Sequence, residues 1–418
     1  MSGAILVSSY LKHKEPTLRI SLIGSHIQAL PIQTLKEEEV FDFGFTNEGV
    51  YSLLNVLKLE SIDESSLKEI KGLVRRENGE VVLNPPEKVV PNERMDTDLP
   101  GYAWDLLPFF EKPLDLYRAP MWHVEYDESK RSPYAAIQTS LGCRFGCDFC
   151  MINLINRNDQ EEVGVAGNYS QMRHWSTEFI INEFDKLADL GVYTIKITDE
   201  LFLFHKKYYE PLCDKLSKRS YSEKLTMWAY SRVDTVRNTK LLKLVRSAGI
   251  KWLALGIESG DKKVRLEVSK GKFEEVDIER VVEQIHKADI HVMANYIFGL
   301  PGDTTESMQK TLDLSINLCT LGWNAYAAMA LPGSKLYRDA LLNGIDLPKS
   351  YEEFSFYGKN TKNLPTESCS AKEIISFRDQ AFIEYHSNKD FLKFVEKKVG
   401  IDRVNAINEM LKVKLVRK

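Results

Sequence analysis

From residue 135 onward, short apolar runs alternate with segments whose apolar positions recur every three to four residues. The runs predict strands at 135–141, 192–198, 225–231, 252–257, 291–298 and 324–330. The intervening segments predict helices at 177–190, 241–248, 276–288 and 305–319. In the first of these, Phe179, Ile180, Phe184, Leu187 and Leu190 fall near a 3.6-residue period. Gly191 reads as its terminator, Ser176 or Thr177 as its cap, and Asp303 or Thr304 as the cap of the last helix. Strand, helix, strand at this spacing predicts an all-parallel sheet with right-handed crossovers. Six units fall short of a closed eight-stranded barrel and suit an open, partial one.

Before residue 115 the pattern is weaker. It predicts strands at 18–23 and 41–45, a helix at 50–57, and a hairpin turning at Asn78-Gly79. Prolines at 85–86 and 100–108 mark a linker, with Trp104 and Phe109-Phe110 docking it onto the barrel. Two stretches lack periodicity. Residues 151–175 are long for a strand-to-helix loop and read as a lid. Residues 343–365 read as a closure of the open side. Helices at 372–397 and 402–414 end the chain. The expected units are 1–115, 125–340 and 341–418.

Composition narrows the class. The chain has 418 residues, 43% hydrophobic and 28% charged, with a net charge of −4. This describes a globular protein without the basic footprint of a nucleic-acid binder. No apolar run approaches the ~18 residues that span a bilayer, and the first residues lack a signal-peptide pattern. The expected compartment is the cytoplasm. Six cysteines are too sparse for a disulfide framework.

Three of those cysteines, Cys143, Cys147 and Cys150, lie in one run that follows the first strand. A structural zinc site wants four ligands, commonly as two pairs, and no second pair exists; His123 and His174 stand at the wrong spacing. Three thiolates can instead hold three corners of an iron–sulfur cube and leave one iron open. A non-catalytic iron–sulfur or metal-binding protein is the competing reading. Other chemistry-bearing residues collect after the remaining strands. Asp199-Glu200 follows the second, Arg232 the third, Glu258 the fourth, and a Gly-Leu-Pro-Gly run from Gly299 the fifth. Ligands of parallel α/β sheets sit at this carboxyl rim. Each residue also has a plainer use: Arg232 can pair with Asp234, Asp199-Glu200 can cap a helix, and the glycine run can be a turn. Glu258 ends an apolar strand, where a carboxylate needs a partner.

The cysteine spacing, with Gly-Ile-Glu-Ser-Gly at 256–260 and Ile-Phe-Gly-Leu-Pro-Gly-Asp-Thr at 297–304, resembles the radical S-adenosylmethionine (radical SAM) enzymes. The resemblance covers about residues 133–340. It points to the subgroup in which a cobalamin-binding domain precedes the barrel. It implies a partial (β/α)6 barrel, preceded here by a truncated Rossmann-like domain and followed by a helical C-terminal segment. It also implies a 4Fe–4S cluster on Cys143, Cys147 and Cys150, with S-adenosylmethionine on the open iron. By the same resemblance Phe149 lies near the adenine, and Asp199 and Glu200 stand at the ammonium motif. Arg232 pairs with the methionine carboxylate, Glu258 binds the ribose hydroxyls or the ammonium, and Ile297 and Gly299 line the adenine pocket. The implied reaction is reductive cleavage of S-adenosylmethionine and hydrogen abstraction from a small-molecule or natural-product substrate, extending to methyl transfer. The implied partner is an external electron donor such as a flavodoxin or ferredoxin. Residues 15–115 resemble the second half of the subgroup's cobalamin domain. The Asp-x-His-x-x-Gly motif that supplies a cobalt ligand is absent and His26 does not match it. The expectation is therefore a degenerate domain that covers the barrel.

Overall fold

The computed structural model describes residues 1–114, 132–154, 171–236, 239–268 and 275–417. Twelve strands appear among them. Four form an N-terminal sheet: β1 (Ser21–Leu22), β2 (Phe43–Phe45), β3 (Leu73–Glu77) and β4 (Glu80–Leu83). Only β1 and β2 run parallel; β2, β3 and β4 are antiparallel. Asn78 and Gly79 both take positive φ, 51° and 83°, as a two-residue hairpin turn with right-handed strand twist demands.

The central sheet is all parallel. It comprises β5 (Tyr134–Ile137), then, after the short pair β6 (Ser140–Leu141) and β7 (Arg173–His174), β8 (Thr194–Ile197), β9 (Thr226–Arg232), β10 (Ile250–Glu258), β11 (His291–Phe298) and β12 (Gly322–Ala327). Its spatial order is β12-β11-β10-β9-β8-β5, which follows the chain without a swap. The sheet is the expected six-stranded partial barrel. One register row crosses four strands, Arg232 beside Gly256 beside Asn295 beside Asn324. Because side chains alternate faces, this row brings four consecutive rim positions to the same level.

The helices form where the apolar period and caps agree. Ser176 caps helix Thr177–Asp189 by accepting from the Phe179 N–H, and Ile180, Phe184 and Leu187 turn inward. Thr304 and Ser307 form a reciprocal box at the start of helix Thr305–Leu318. The linker docks as expected through Trp104, whose indole donates to Glu183 at 2.7 Å, and through Phe109. Phe110 does not join them; it is 84% exposed. The C-terminal region holds three helices rather than the expected two, Ala371–Ser387, Lys389–Val399 and Ile401–Leu411. Asn388 breaks the first by accepting from the Asp390 and Phe391 N–H groups. Among the described residues no helix is long and apolar enough to cross a membrane. The lid expected over 151–175 falls largely outside the described residues, as does His123.

Candidate active site

The first strand is shorter than its apolar run because a carboxylate ends it. Asp199, fully buried after β8, accepts from the Thr139 N–H, the Thr139 hydroxyl and the Ser140 hydroxyl, each at 2.6 Å. These bonds fold the chain out of the sheet after Ile137 and aim residues 141–150 across the rim. Burial raises the Asp199 carboxyl even so. Its oxygens are thus committed to shaping the cysteine loop. Its neighbour differs. Glu200 Oε2 is buried with no hydrogen-bond partner among the described residues. Burial, reinforced by Asp199, pushes the Glu200 carboxyl up to about 7. Its charge acts on both Cys143 and Cys150.

Gly142 turns the loop with φ 88°. Cys143 is buried, and its sulfur accepts from the Phe145 N–H at 3.4 Å; Cys147 and Cys150 are half-buried. Backbone bonds anchor the far side of the loop, Asp148 N–H to Val268 and Leu336 N–H to Asp148. Burial pushes the Cys143 thiol up to about 12, with Cys150 and Cys147 adding to the rise, so the three sulfurs feel one another. Such thiols surrender their protons to a metal rather than to water. Among the described residues no three His, Cys, Asp or Glu side chains draw close enough to share a single metal ion. A cube asks for a wider spread, because each thiolate binds a different iron. His174 packs on Tyr208 and His205 instead of turning toward the loop.

Arg232 stands over this loop. It forms a bidentate pair with Asp234, both bonds 2.6 Å, and both residues are buried. Its guanidinium carbon lies 3.5 Å from the centre of the Phe145 ring, and Nη1 is 4.0 Å from the Cys147 sulfur. The plainer reading of Arg232 as the partner of Asp234 thus holds, and the paired guanidinium turns Nη1 toward the second cysteine.

A cavity of about 270 Å³ opens on the same rim. Phe149, Cys150, Glu258 and Ile297 line it, as do Met151, Tyr326, Met329 and Phe356, so its walls are largely apolar. Glu258 enters by a backbone irregularity. The β10–β11 register shifts between Gly256 and Glu258, and Glu258 adopts φ 66°. A non-glycine residue pays about 1–2 kcal/mol for that conformation. The carboxylate folds back over Gly256: a Cβ there would sit 2.7 Å from Glu258 Oε1. Burial pushes the Glu258 carboxyl up to about 7 despite the pull of Arg232. Strain and burial together mark a group kept for something other than stability.

Gly299 is not among the residues that line this cavity. Its positive φ of 76° forms a turn closed by Asp303, which accepts from the Gly299 and Leu300 N–H groups, and Ile374 packs where a Cβ would stand. The sequence reading also passed over a polar chain on the cavity wall. Asn324 donates to Asn295 at 3.0 Å and to the Tyr326 hydroxyl, and accepts from Tyr357 at 2.6 Å. Its signal was available: Asn295 and Asn324 interrupt otherwise apolar strands at the same register.

The donors fit a cluster with a bound co-substrate: three thiols on one anchored loop, one Glu200 oxygen with no partner among the described residues, and an apolar cavity ending on a carboxylate. A family model described as the radical SAM superfamily matches residues 137–315. An uncharacterized methyltransferase of Pyrococcus horikoshii is 24% identical over 415 residues, covering 99% of this chain and 82% of its own. The fold matches that of the radical S-adenosylmethionine methyltransferase TsrM from Kitasatospora setae with cobalamin and a [4Fe-4S] cluster bound. The TM-score is 0.60 at 16% identity, over 89% of this chain and 68% of that one. It also matches the cobalamin-dependent S-adenosylmethionine radical enzyme OxsB with aqua-cobalamin bound. Here the TM-score is 0.61 at 15% identity, over 98% of this chain and 60% of that longer one.

Proposed function

We propose, from the premise that this chain belongs to the radical SAM superfamily through its residues 137–315, that it transfers a methyl group or makes a related change at an unactivated carbon of a small organic substrate. The observation that carries the reading is the shared rim. The three-cysteine loop and the Glu258 cavity meet at Cys150, so a cluster held by the one and a co-substrate held by the other would be neighbours. When bound, a 4Fe–4S cluster of this kind supplies an electron to S-adenosylmethionine and so starts radical chemistry.

The chain's own residues bind, orient and shield. Cys143, Cys147 and Cys150 would hold the cluster. Arg232 beside Cys147 offsets negative charge there, and the Asp234 bond fixes the guanidinium in place. Phe149 and Ile297 offer apolar walls to an adenine face. Glu258 accepts from ribose hydroxyls, a charge-assisted contact made stronger by the surrounding apolar side chains. Glu200 accepts from an ammonium group next to the loop. The apolar lining excludes water from a reactive carbon centre. Methyl transfer as the reaction class rests on the Pyrococcus relative's name. An external flavodoxin- or ferredoxin-like reductant is the electron source in this reading.

The N-terminal sheet serves as a cover in this reading. His26, at the carboxyl end of β1, is held edge-on against Tyr351 with ring centroids 5.3 Å apart. The test is S-adenosylmethionine turnover under anaerobic reducing conditions, with cobalamin followed by absorbance. Wild-type protein is expected to consume S-adenosylmethionine and Cys147→Ala to lose that activity. Equal turnover in the two would remove the proposal. Stoichiometric cobalamin retained through purification would replace the cover with a working cofactor domain.

A further inference from the structure

A second cavity, of about 200 Å³, lies at the opposite end of the barrel, between the start of β12 and the three C-terminal helices. Phe382, Phe391, Ile407 and Trp323 give it apolar walls. One charge enters it, Arg403 on helix Ile401–Leu411. No salt bridge or hydrogen bond engages Arg403 among the described residues, and no carboxylate lines the cavity. Burial lowers its pKa. Two further polar groups share the wall. The Trp323 indole N–H is buried with no hydrogen-bond partner among the described residues. His386 has Nδ1 fixed on the Phe382 carbonyl at 2.8 Å, and its ring is kept neutral by burial.

A half-buried guanidinium without a counter-charge costs free energy that an anion recovers. The aromatic and aliphatic walls match an apolar body. We propose that this cavity binds a small organic anion, a carboxylate carried on an aromatic or aliphatic body, with Arg403 as its charge partner. β12 runs from this cavity at Trp323 to the reaction cavity at Tyr326 and Ala327, so the two share one wall strand. The site stands apart from the proposed reaction and does not depend on it.

The experiment is calorimetric titration of the full chain with 3-phenylpropionate, and with 3-phenylpropionamide as the uncharged analogue. The carboxylate is expected to bind once per chain, and the amide about tenfold or more weakly. Arg403→Met is expected to weaken the carboxylate to the level of the amide while leaving the circular dichroism spectrum unchanged. Ala406→Trp, on the exposed side of the cavity, is expected to fill it and abolish binding without touching the charge. Equal affinity for acid and amide, unchanged affinity in Arg403→Met, or no saturable binding by wild type would each overturn the proposal. In any of those cases Arg403 merely lays its stem over apolar surface with its head in water.

Discussion

Glu258 shows how one residue sets stability against use. Its φ of 66° and its carboxyl held near 7 are both unfavourable in the free protein. Glycine takes that backbone without strain, so Glu258→Gly is expected to leave the thermal midpoint unchanged or raised while S-adenosylmethionine binding disappears. Glu258→Gln keeps the shape and removes the charge, and is expected to weaken S-adenosylmethionine about tenfold. Equilibrium dialysis and a thermal scan on the same samples check both. A large loss of stability in the glycine variant would mean that the carboxylate serves the fold instead. Residues of this kind were legible because a carboxylate ending an apolar strand is costly. Asp199 and Glu200 were legible only as a pair. Neighbouring side chains at a strand end point different ways, and nothing local says that Thr139 and Ser140 claim the first. The packing of Gly299 was not legible for a similar reason, since the side chain that packs on it, Ile374, lies far along the chain.

At the scale of elements, period and caps carried most of the reading. The strand at His291–Phe298 and the helix at Val50–Leu57 fall where the pattern put them. The helix at Lys206–Ser217 was passed over because Pro211 interrupts its interior, and a proline there argues against a helix. The break at Asn388 was passed over because the apolar period continues through it, so only the capping side chain marks the boundary. The Asn78-Gly79 hairpin was legible from two residues. Nothing lies within 4 Å of a Cβ built on Gly79, so replacing it tests backbone conformation alone. Gly79→Ala is expected to cost about 1 kcal/mol, seen as a lower urea midpoint. A neutral substitution would mean that the turn does not hold β3 and β4 in register.

The whole molecule carries a pH dependence in which buried histidines oppose the raised carboxyls of Glu200 and Glu258. Burial pushes His174, His286 and His386 each down to about 4, from the usual 6.5. Their folded values lie below the unfolded one, so the unfolded chain takes up protons first as pH falls. Stability from this source is full above about pH 6.5 and is lost progressively toward pH 4. Between pH 7 and 5.5 the loss is expected to be about 1 kcal/mol for the well-buried His386, and smaller for the two more exposed rings. Urea unfolding of wild type and His386→Leu across that range isolates this share, because Glu200 and Glu258, raised to about 7, act alike in both. The variant is expected to lose about 1 kcal/mol less than wild type on acidification, and equal slopes in the two would contradict the assignment.

The fold and the cysteine loop at its rim were readable because the strand–helix rhythm and three clustered thiols are local signals. The polar chain through Asn295 and Asn324, and the Arg403 cavity, exist only once distant elements meet. Iron and sulfide content after anaerobic reconstitution is the most direct test, measured in wild type and in Cys143→Ala, Cys147→Ala and Cys150→Ala. The account predicts about four irons per wild-type chain and a clear loss in every variant. Iron-free wild type, or full iron in any single variant, would contradict it.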